Sequence, residues 1–295
     1  MCDTVRVGFV GLGEIGKPMA ARLAGQQAEA KLDLTVFDLA AAPVEELVAA
    51  GAKAAGSVGA LAAGSDVLCV MVNNDQQVRS VLDEALAAAA AAGDGNGAGL
   101  TVVIHSTVAP GTPAELQELA ARRGVRLVDA PVSGGAMGAG TGELAVLVGG
   151  SDEAFAAIRP VMDVLAKKVV HAGPIGAGTR FKLARNLMHY AAFTAATEAQ
   201  RLAEAAGLDL VALGEVVRHT DALTGGPGAI MYRDTAAEME PGSFWFTTFG
   251  HLRQLAEKDL DFAIALADEL GVEVPMARLA RERLAPGLGF PEEQE

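Results

Sequence analysis

The chain has 295 residues, of which 51% are hydrophobic, and its 37 acidic and 23 basic side chains give a formal net charge of −14. This length suffices for two domains, each with a packed core. The acidic balance argues against a nucleic-acid-binding surface, and no apolar run approaches the ~20 residues of a membrane span. Because the only cysteines are Cys2 and Cys69 and no signal peptide pattern is present, we expect a cytoplasmic protein that binds a small molecule.

A glycine-rich turn follows the first predicted strand, Val5–Val10. It consists of Gly11, Leu12, Gly13, Glu14, Ile15 and Gly16, and a helical pattern continues behind it to about Ala24. A strand, a G-x-G-x-x-G turn and a helix in this order are typical of dinucleotide binding. The backbone can approach a pyrophosphate at the second glycine, and the helix N-terminus offers unpaired N–H groups. We therefore predict that these six residues bind the cofactor.

The second predicted strand, at residues 34–38, ends in Asp38. A carboxylate at this place accepts hydrogen bonds from the adenosine ribose hydroxyls and repels a 2′-phosphate. No arginine lies between Arg22 and Arg79 to bind such a phosphate. NAD is therefore favoured over NADP as the cofactor, and the alternative is that Asp38 is only a turn residue.

Strands and helices alternate through the first 175 residues. Further strands are predicted at residues 67–72, 100–104, 126–128, 143–148 and 169–171, and helices at residues 44–50, 58–63, 76–92, about 111–123 and 152–165, with a glycine-rich loop at 93–99. This order predicts a parallel, doubly wound Rossmann sheet whose ligand cleft lies at the C-terminal ends of the strands. Four residues follow such ends and are predicted to bind the cofactor: Val72, Asn73, Ser106 and Thr107.

A hydroxyl and two glycines, Ser133, Gly134 and Gly135, follow the strand at residues 126–128. Peptide units without side chains can bring O–H and N–H donors against a carboxylate without steric hindrance. We predict that this segment binds the carboxylate of a substrate. The alternative is an ordinary glycine turn.

Beyond Gly178 the alternation stops and only helices are predicted. They lie at residues 180–206, 210–219, 229–238, about 248–270 and 277–284, followed by a tail at 286–295 that we expect to be frayed. The sequence thus predicts a dinucleotide-binding domain at 1–175 and an all-helical substrate and dimerisation domain at 176–295. The fold class is α/β followed by all-α.

Lys182 and Asn186 lie four residues apart near the start of the long helix, so they share one helix face. An ammonium group and a carboxamide held side by side suit a proton donor and an orienting group for a carbonyl or hydroxyl. His189 lies on the same face and is a candidate substrate contact. The alternative for all three residues is a solvated or structural helix face.

Four motifs, in this order and spacing, resemble the β-hydroxyacid dehydrogenase family, typified by 3-hydroxyisobutyrate dehydrogenase and tartronate semialdehyde reductase. They are residues 11–20, residues 129–135, Gly176 through Asn186, and residues 258–260. The resemblance implies that Lys182 is the catalytic acid/base, that Asn186 orients the reacting group and that Lys258 lies near the nicotinamide. It also implies hydride transfer between NAD and a small β-hydroxy acid or its semialdehyde, in a homodimer or homotetramer.

The chain departs from the family at a few positions near the cofactor and the substrate. Many relatives have Leu-Pro in place of Val72-Asn73, an acidic residue near Ile104-His105, and an aliphatic residue in place of His189. Two alternatives stay open: an imine reductase, which usually has Asp or Tyr in place of Lys182, and a non-catalytic nucleotide-binding relative. The histidines have no metal-ligand spacing, so no metal is expected.

Overall fold

The computed structural model describes residues 4–91 and 99–291, so the predicted loop at 93–99 lies outside the described residues except for Gly99. The strands of the described chain are β1 (Val5–Val10), β2 (Leu32–Phe37), β3 (Lys53–Ala54), β4 (Val67–Val70), β5 (Thr101–Ile104), β6 (Arg126–Asp129), β7 (Val132–Ser133), β8 (Leu144–Gly149) and β9 (Ala166–Gly173). The helices are α1 (Gly16–Ala30), α2 (Ala41–Ala49), α3 (Val58–Ala63), α4 (Asp75–Ala91), α5 (Thr112–Ala121), α6 (Gly135–Thr141), α7 (Asp152–Leu165), α8 (Ala177–Ala205), α9 (Leu210–Thr224), α10 (Phe244–Leu270) and α11 (Pro275–Leu288). The chain forms two compact units, Met1–Arg185 and Asn186–Glu295.

The first unit is built on one twisted sheet with the order β3-β2-β1-β4-β5-β6-β8-β7, and β9 pairs with β8. The strands from β3 to β6 are parallel to their neighbours, whereas β8 is antiparallel to β6 and β7. The strand order reverses between β1 and β4, which places a ligand cleft at their C-terminal ends. This sheet, followed by a helical region, confirms the predicted fold class.

Apolar side chains fill both faces of this sheet because helices cover each face. Phe9 and Val103 lie on one side with α1 and α7, and Leu68 and Val102 lie on the other side with α3, α4 and α5. A parallel strand buried on both faces reads as a continuous apolar run, which is why β1, β4 and β5 are predictable from sequence. The filled interior fixes the strand ends from which the site is built.

Three short elements of the first unit are absent from the sequence prediction. Helix α6 follows Gly134 and begins at Gly135, and these two glycines have φ angles of +133° and +63°. Its sequence is rich in glycine, so its composition predicts a loop, but Gly138 and Ala139 are buried in the folded unit. Small side chains permit close packing here, and tertiary contacts override the low helix propensity. The other two elements, β3 and β7, are two-residue strands, and β7 carries Ser133.

The second unit contains the rest of α8, together with α9, α10 and α11. The predicted helix at residues 229–238 is wrong, since a 3-10 helix covers Gly226–Tyr232 and the backbone beyond it is irregular. Gly225 and Gly226 have φ angles of +86° and +52° and end α9. The Arg233 side chain then donates to the carbonyl oxygens of Ala237 and, at 2.6 Å, Leu288, which holds the irregular segment in place.

The described part of the predicted tail, residues 286–291, departs from the prediction. Helix α11 continues to Leu288, and Phe290 is buried in a cluster with Met239 and Phe249, so residues 286–290 are not frayed. Residues 292–295 lie outside the described chain. Among residues 4–91 and 99–291, no helix has the length and apolar character required to cross a bilayer.

Candidate active site

The three glycines of the turn after β1 differ in what surrounds them. Gly11 has a φ of +90°, and a Cβ there would lie 2.1 Å from the Met71 carbonyl oxygen. A Cβ on Gly16 would lie 1.9 Å from the Gly11 carbonyl oxygen. A Cβ on Gly13, by contrast, would meet no atom within 4 Å. The first and third glycines therefore close the turn, and the second leaves its backbone open to a phosphate group.

Asp38 is held against this turn by its own carboxylate. One carboxylate oxygen accepts the Leu12 N–H at 2.6 Å, and the other accepts the Ala40 N–H at 2.8 Å. The carboxylate therefore ties the end of β2 to the glycine-rich turn. Residues 39–43 carry no cationic side chain.

A cleft of about 660 Å³ opens at these strand ends. The predicted cofactor residues that line it are Gly11, Leu12, Gly13, Asp38, Val72 and Asn73. Residues missed by the sequence prediction also line it, namely Gly56, Ser57, Val58, Gln77, Ser80 and Glu84. Its size and its open glycine backbone fit a dinucleotide. The signal for the missed residues is weak, since Gly56, Ser57 and Val58 lie between a two-residue strand and the start of α3. The other three belong to one polar face of α4.

The remaining predicted cofactor residues of the first unit are not among the residues that line the cleft. Glu14, Ile15 and Gly16 lead into α1. Ser106 is buried, and its hydroxyl accepts the Val72 N–H at 2.8 Å and donates to the Val72 carbonyl oxygen at 2.7 Å. Ser106 therefore fixes the backbone turn after β4, whereas Thr107 is exposed.

Lys182 and Ser133 meet in the first unit. The Lys182 ammonium donates to the Ser133 hydroxyl oxygen at 2.8 Å, and Lys182 is only 8% exposed. Burial, and after it the positive charge of Arg185, lowers the pKa of Lys182. Desolvation disfavours the ammonium form, so the amine is prepared to give up or accept a proton. Gly134 and Gly135 adjoin this pair and are exposed.

His105 directly follows β5, and its side chain is 1% exposed. Its Nδ1 lies 2.8 Å from the Ala130 carbonyl oxygen, so the neutral ring must donate from Nδ1. Its Nε2 has no hydrogen-bond partner among the described residues. Burial lowers the pKa of His105 to about 4. His105 is therefore a neutral core residue that links β5 to the segment leading to Ser133.

The predicted site residues of the second unit lie on its long helices. Asn186 and His189 are half-buried on α8, and the His189 ring packs 4.3 Å from the Phe193 ring. Lys258 is exposed on α10 and pairs with Asp259 at 3.0 Å. No group of three or more potential metal ligands occurs within the two described stretches of the chain.

Comparison with known proteins assigns nearly the whole chain to nucleotide-binding families. Residues 6–173 match the NAD binding domain of 6-phosphogluconate dehydrogenase. Residues 176–288 match the family described as NAD-binding of NADP-dependent 3-hydroxyisobutyrate dehydrogenase. Both matches agree with the resemblance carried by the sequence motifs.

Individual relatives span almost the full chain. An uncharacterized oxidoreductase of Mycobacterium tuberculosis is 48% identical over 291 residues, which cover 98% of this chain and 95% of that protein. An NAD-dependent L-serine dehydrogenase of Pseudomonas aeruginosa is 36% identical over 280 residues, which cover 93% of this chain and 89% of that protein.

Solved structures show the same architecture. A crystal structure from Mycobacterium avium 104, of a protein provisionally assigned as an oxidoreductase, has a TM-score of 0.90 and 46% identity, and the match covers 98% of this chain and all of that one. An imine reductase of Myxococcus stipitatus has a TM-score of 0.74 at 19% identity, over 97% and 96% of the two chains, and shares the fold alone. The chain is therefore an NAD(P)-binding oxidoreductase of the 3-hydroxyisobutyrate dehydrogenase family.

Proposed function

We propose that the protein is an NAD-dependent dehydrogenase of a small β-hydroxy acid, or a reductase of the matching semialdehyde, with Lys182 as the proton acceptor and donor. One observation carries the proposal: the buried Lys182 amine lies 2.8 Å from the Ser133 hydroxyl, beside two exposed glycines. A carboxylate anchored at Ser133 would place a nearby hydroxyl group within reach of the amine.

The roles of the first-unit residues follow from their chemistry. The bound nicotinamide supplies the hydride acceptor for oxidation of the alcohol. Neutral Lys182 takes the hydroxyl proton as the hydride leaves carbon, and its ammonium form returns a proton in the reverse reaction. Ser133, Gly134 and Gly135 hold the carboxylate through O–H and N–H donors. We propose from the family's pattern that Asn186, one turn further along α8, orients the reacting group, that His189 contacts the substrate and that Lys258 serves the nicotinamide end.

The cofactor residues favour NAD. Asp38 lies at the end of β2, where its carboxylate would face the adenosine ribose hydroxyls, and no cation occurs at residues 39–43 to compensate a 2′-phosphate. Glu84 adds a second carboxylate to the same cleft. We expect a kcat/KM for NAD well above that for NADP, and equal values for the two cofactors would contradict the assignment.

A substrate panel tests the function directly. NADH formation at alkaline pH would be measured with 3-hydroxyisobutyrate, L-serine and other small β-hydroxy acids, for wild type, Lys182→Ala and Lys168→Ala. Lys168 is exposed on β9 and is the matched control. We expect at least about a 100-fold loss of kcat in Lys182→Ala, with NAD binding retained and Lys168→Ala unchanged.

Two outcomes would reject this reaction. Reduction of cyclic imines without turnover of any acid would favour the imine reductase alternative, which shares the fold. NAD binding without turnover of either class would favour a non-catalytic nucleotide-binding protein.

The rate of oxidation should also rise with pH until Lys182 is neutral. Because burial lowers the pKa of Lys182, this rise should be complete at a lower pH than for a lysine with the ordinary pKa.

We also propose that the protein is a homodimer or homotetramer. Large apolar side chains are exposed on the helices of the second unit, among them Leu187, Tyr190, Phe193, Leu255 and Phe262. Exposed apolar surface of this extent is unusual for a monomer and is typical of an interface. Light scattering coupled to size exclusion measures the mass directly, and a monomer at micromolar concentration would contradict the proposal.

A further inference from the structure

Asp129, the last residue of β6, is 0% exposed. Its Oδ1 accepts the Gly176 N–H at 2.6 Å, and its Oδ2 accepts the Thr179 N–H at 2.6 Å. The first N–H groups of a helix have no carbonyl partner within the helix, and a carboxylate also suits the positive end of the helix dipole. The cap of α8 therefore comes from the sheet, about 50 residues earlier in the chain, and not from the residue before the helix.

The two segments that Asp129 joins are the ones that carry the proposed reactive pair. Ser133 follows Asp129 by four residues, on the segment that runs from the end of β6 through β7. Lys182 follows Thr179 by three residues, so both side chains lie on one face of α8, and both are buried. The hydrogen bonds of Asp129 and the contact between Lys182 and Ser133 thus connect the same two segments at two places.

The backbone around Asp129 leaves little space for a different arrangement. A Cβ on Gly149 of β8 would lie 2.3 Å from the Asp129 Oδ1 and 2.8 Å from the Ala177 nitrogen. A Cβ on Gly178 would lie 2.1 Å from the Leu147 carbonyl oxygen. The first turn of α8 therefore touches β8 through backbone atoms, and its position relative to Asp129 is fixed by packing as well as by hydrogen bonds.

We propose that Asp129 is a positioning residue that, by capping α8, sets the separation of the Lys182 amine and the Ser133 hydroxyl. The inference rests on the proposed proton-transfer role of Lys182. Both Asp129 oxygens accept from backbone N–H groups, which is the bonding pattern of a carboxylate. Burial raises the pKa of Asp129, and the hydrogen bonds from Thr179 and Gly176 oppose that shift.

Asp129→Asn tests the proposal because the amide keeps the size of the side chain but turns one acceptor into a donor that faces an N–H group. We expect kcat to fall by about 10- to 100-fold, since misplacement of a reacting group by about 1 Å has effects of this size. The KM for NAD should not change. The primary deuterium isotope effect on kcat should rise, because hydride transfer becomes more nearly rate-limiting.

Glu198→Gln is the matched control. Glu198 is also a buried carboxylate that caps a helix, accepting the Met276 N–H at 2.8 Å and the Ala277 N–H at 3.0 Å at the start of α11. A purely structural cap should lower the melting temperature without changing kcat or the isotope effect at a temperature well below melting. We expect this behaviour from Glu198→Gln and not from Asp129→Asn.

Lys182→Ala, assayed in parallel, separates the two hypotheses. Turnover retained in Lys182→Ala would reject the proposed function, whatever Asp129→Asn does. If Lys182→Ala is inactive, a wild-type kcat and isotope effect in folded Asp129→Asn would overturn the positioning role. If Asp129→Asn does not fold, hydrogen exchange of the wild-type protein tests the cap instead, and unprotected Gly176 and Thr179 amides would overturn the inference.

Discussion

The two compact units of this chain differ in how they bury their apolar residues. In the first unit, helices cover both faces of the sheet, and large side chains such as Phe9, Leu68 and Ile158 are completely enclosed. In the second unit, the one cluster of buried apolar side chains among residues 186–291 contains Met239, Phe249, Leu288 and Phe290. Much of the apolar surface of its helices is exposed.

This difference separates the residues that the filled interior of the first unit holds in place from residues on helices whose apolar faces are exposed. The glycine-rich turn, Asp38, Ser133 and Lys182 all belong to the first unit, where a filled interior fixes the strand ends and the start of α8. Long helices with exposed apolar faces depend on further burial for their stability. We therefore expect substitutions in the first unit to act on the cofactor and on proton transfer. Apart from the proposed site residues Asn186, His189 and Lys258, substitutions in the second unit should act mainly on stability.

The largest effect is expected from Gly16→Ala in the first unit. The new methyl group would lie 1.9 Å from the Gly11 carbonyl oxygen, so the turn must open. We expect a loss of about 3 kcal/mol of stability or more, together with loss of measurable NAD binding. Calorimetric titration with NAD and thermal unfolding give the two quantities.

Gly25→Ala is the matched control for this substitution. Gly25 lies in the same helix, α1, and a Cβ there meets no atom within 4 Å. Alanine in a helix interior is favoured over glycine by about 1 kcal/mol, so this variant should be slightly more stable and should bind NAD normally. Normal NAD binding in Gly16→Ala would contradict the assignment of the turn.

Acidification should act on the first unit through His105. The pKa of the buried ring is about 4, below the ordinary value of 6.5, so the unfolded chain takes up a proton at a higher pH than the folded chain. Stability should therefore fall as the pH drops from about 6.5 to 4, by about 3 kcal/mol in all. Denaturant unfolding at each pH measures this loss.

His105→Gln keeps a hydrogen-bond donor near the Ala130 carbonyl but does not titrate, so the stability loss between these pH values should largely disappear. His219→Gln, at an exposed histidine of α9, is the control and should keep the pH dependence of wild type. An unchanged pH dependence in His105→Gln would show that other groups cause the acid sensitivity.

The Gly16 and His105 variants test two features, the glycine-rich turn and a buried histidine, that the sequence predicts to different degrees. The glycine-rich turn and Asp38 are local in sequence, because a strand, a turn, a helix and the next strand form one motif, within which Asp38 accepts the Leu12 N–H. His105 and Asp129 are different. Their partners, Ala130 in one case and Gly176 and Thr179 in the other, lie 25 to 50 residues away, and no local pattern indicates such pairs.

Local helix propensity gives the wrong structure at two places, one helical and one irregular, because tertiary contacts determine the backbone conformation there. The glycine-rich α6 forms a helix because Gly138 and Ala139 pack closely in the first unit. Residues 233–238 have helical spacing but are held by the Arg233 side chain, whose partners include a carbonyl 55 residues later in the chain. The apolar pattern of α8 and α10 predicts helices correctly, but the pattern does not say what covers their exposed faces.

Glu198→Gln should give a smaller effect that is confined to the second unit. Loss of one charge-assisted acceptor at the start of α11 should cost about 1 to 2 kcal/mol. Trp245 is the single tryptophan of the chain and stacks on Phe249 at 5.3 Å, so its fluorescence reports the second unit alone. The fluorescence transition should move to lower denaturant, and a parallel change in NAD affinity would contradict the separation of roles.

The smallest effect is expected at Arg185, the last residue of the first unit. Its positive charge is the second cause, after burial, of the lowered pKa of Lys182. In Arg185→Gln the pKa of Lys182 should therefore rise, and the rising limb of the pH profile of kcat/KM for oxidation should move to higher pH. Arg180→Gln removes an exposed arginine of the same helix that is not among the causes of the Lys182 shift, so its profile should match wild type. If both variants keep the wild-type profile, burial alone sets the pKa of Lys182, and the proton-transfer chemistry depends on the packing of the first unit without help from its surface charges.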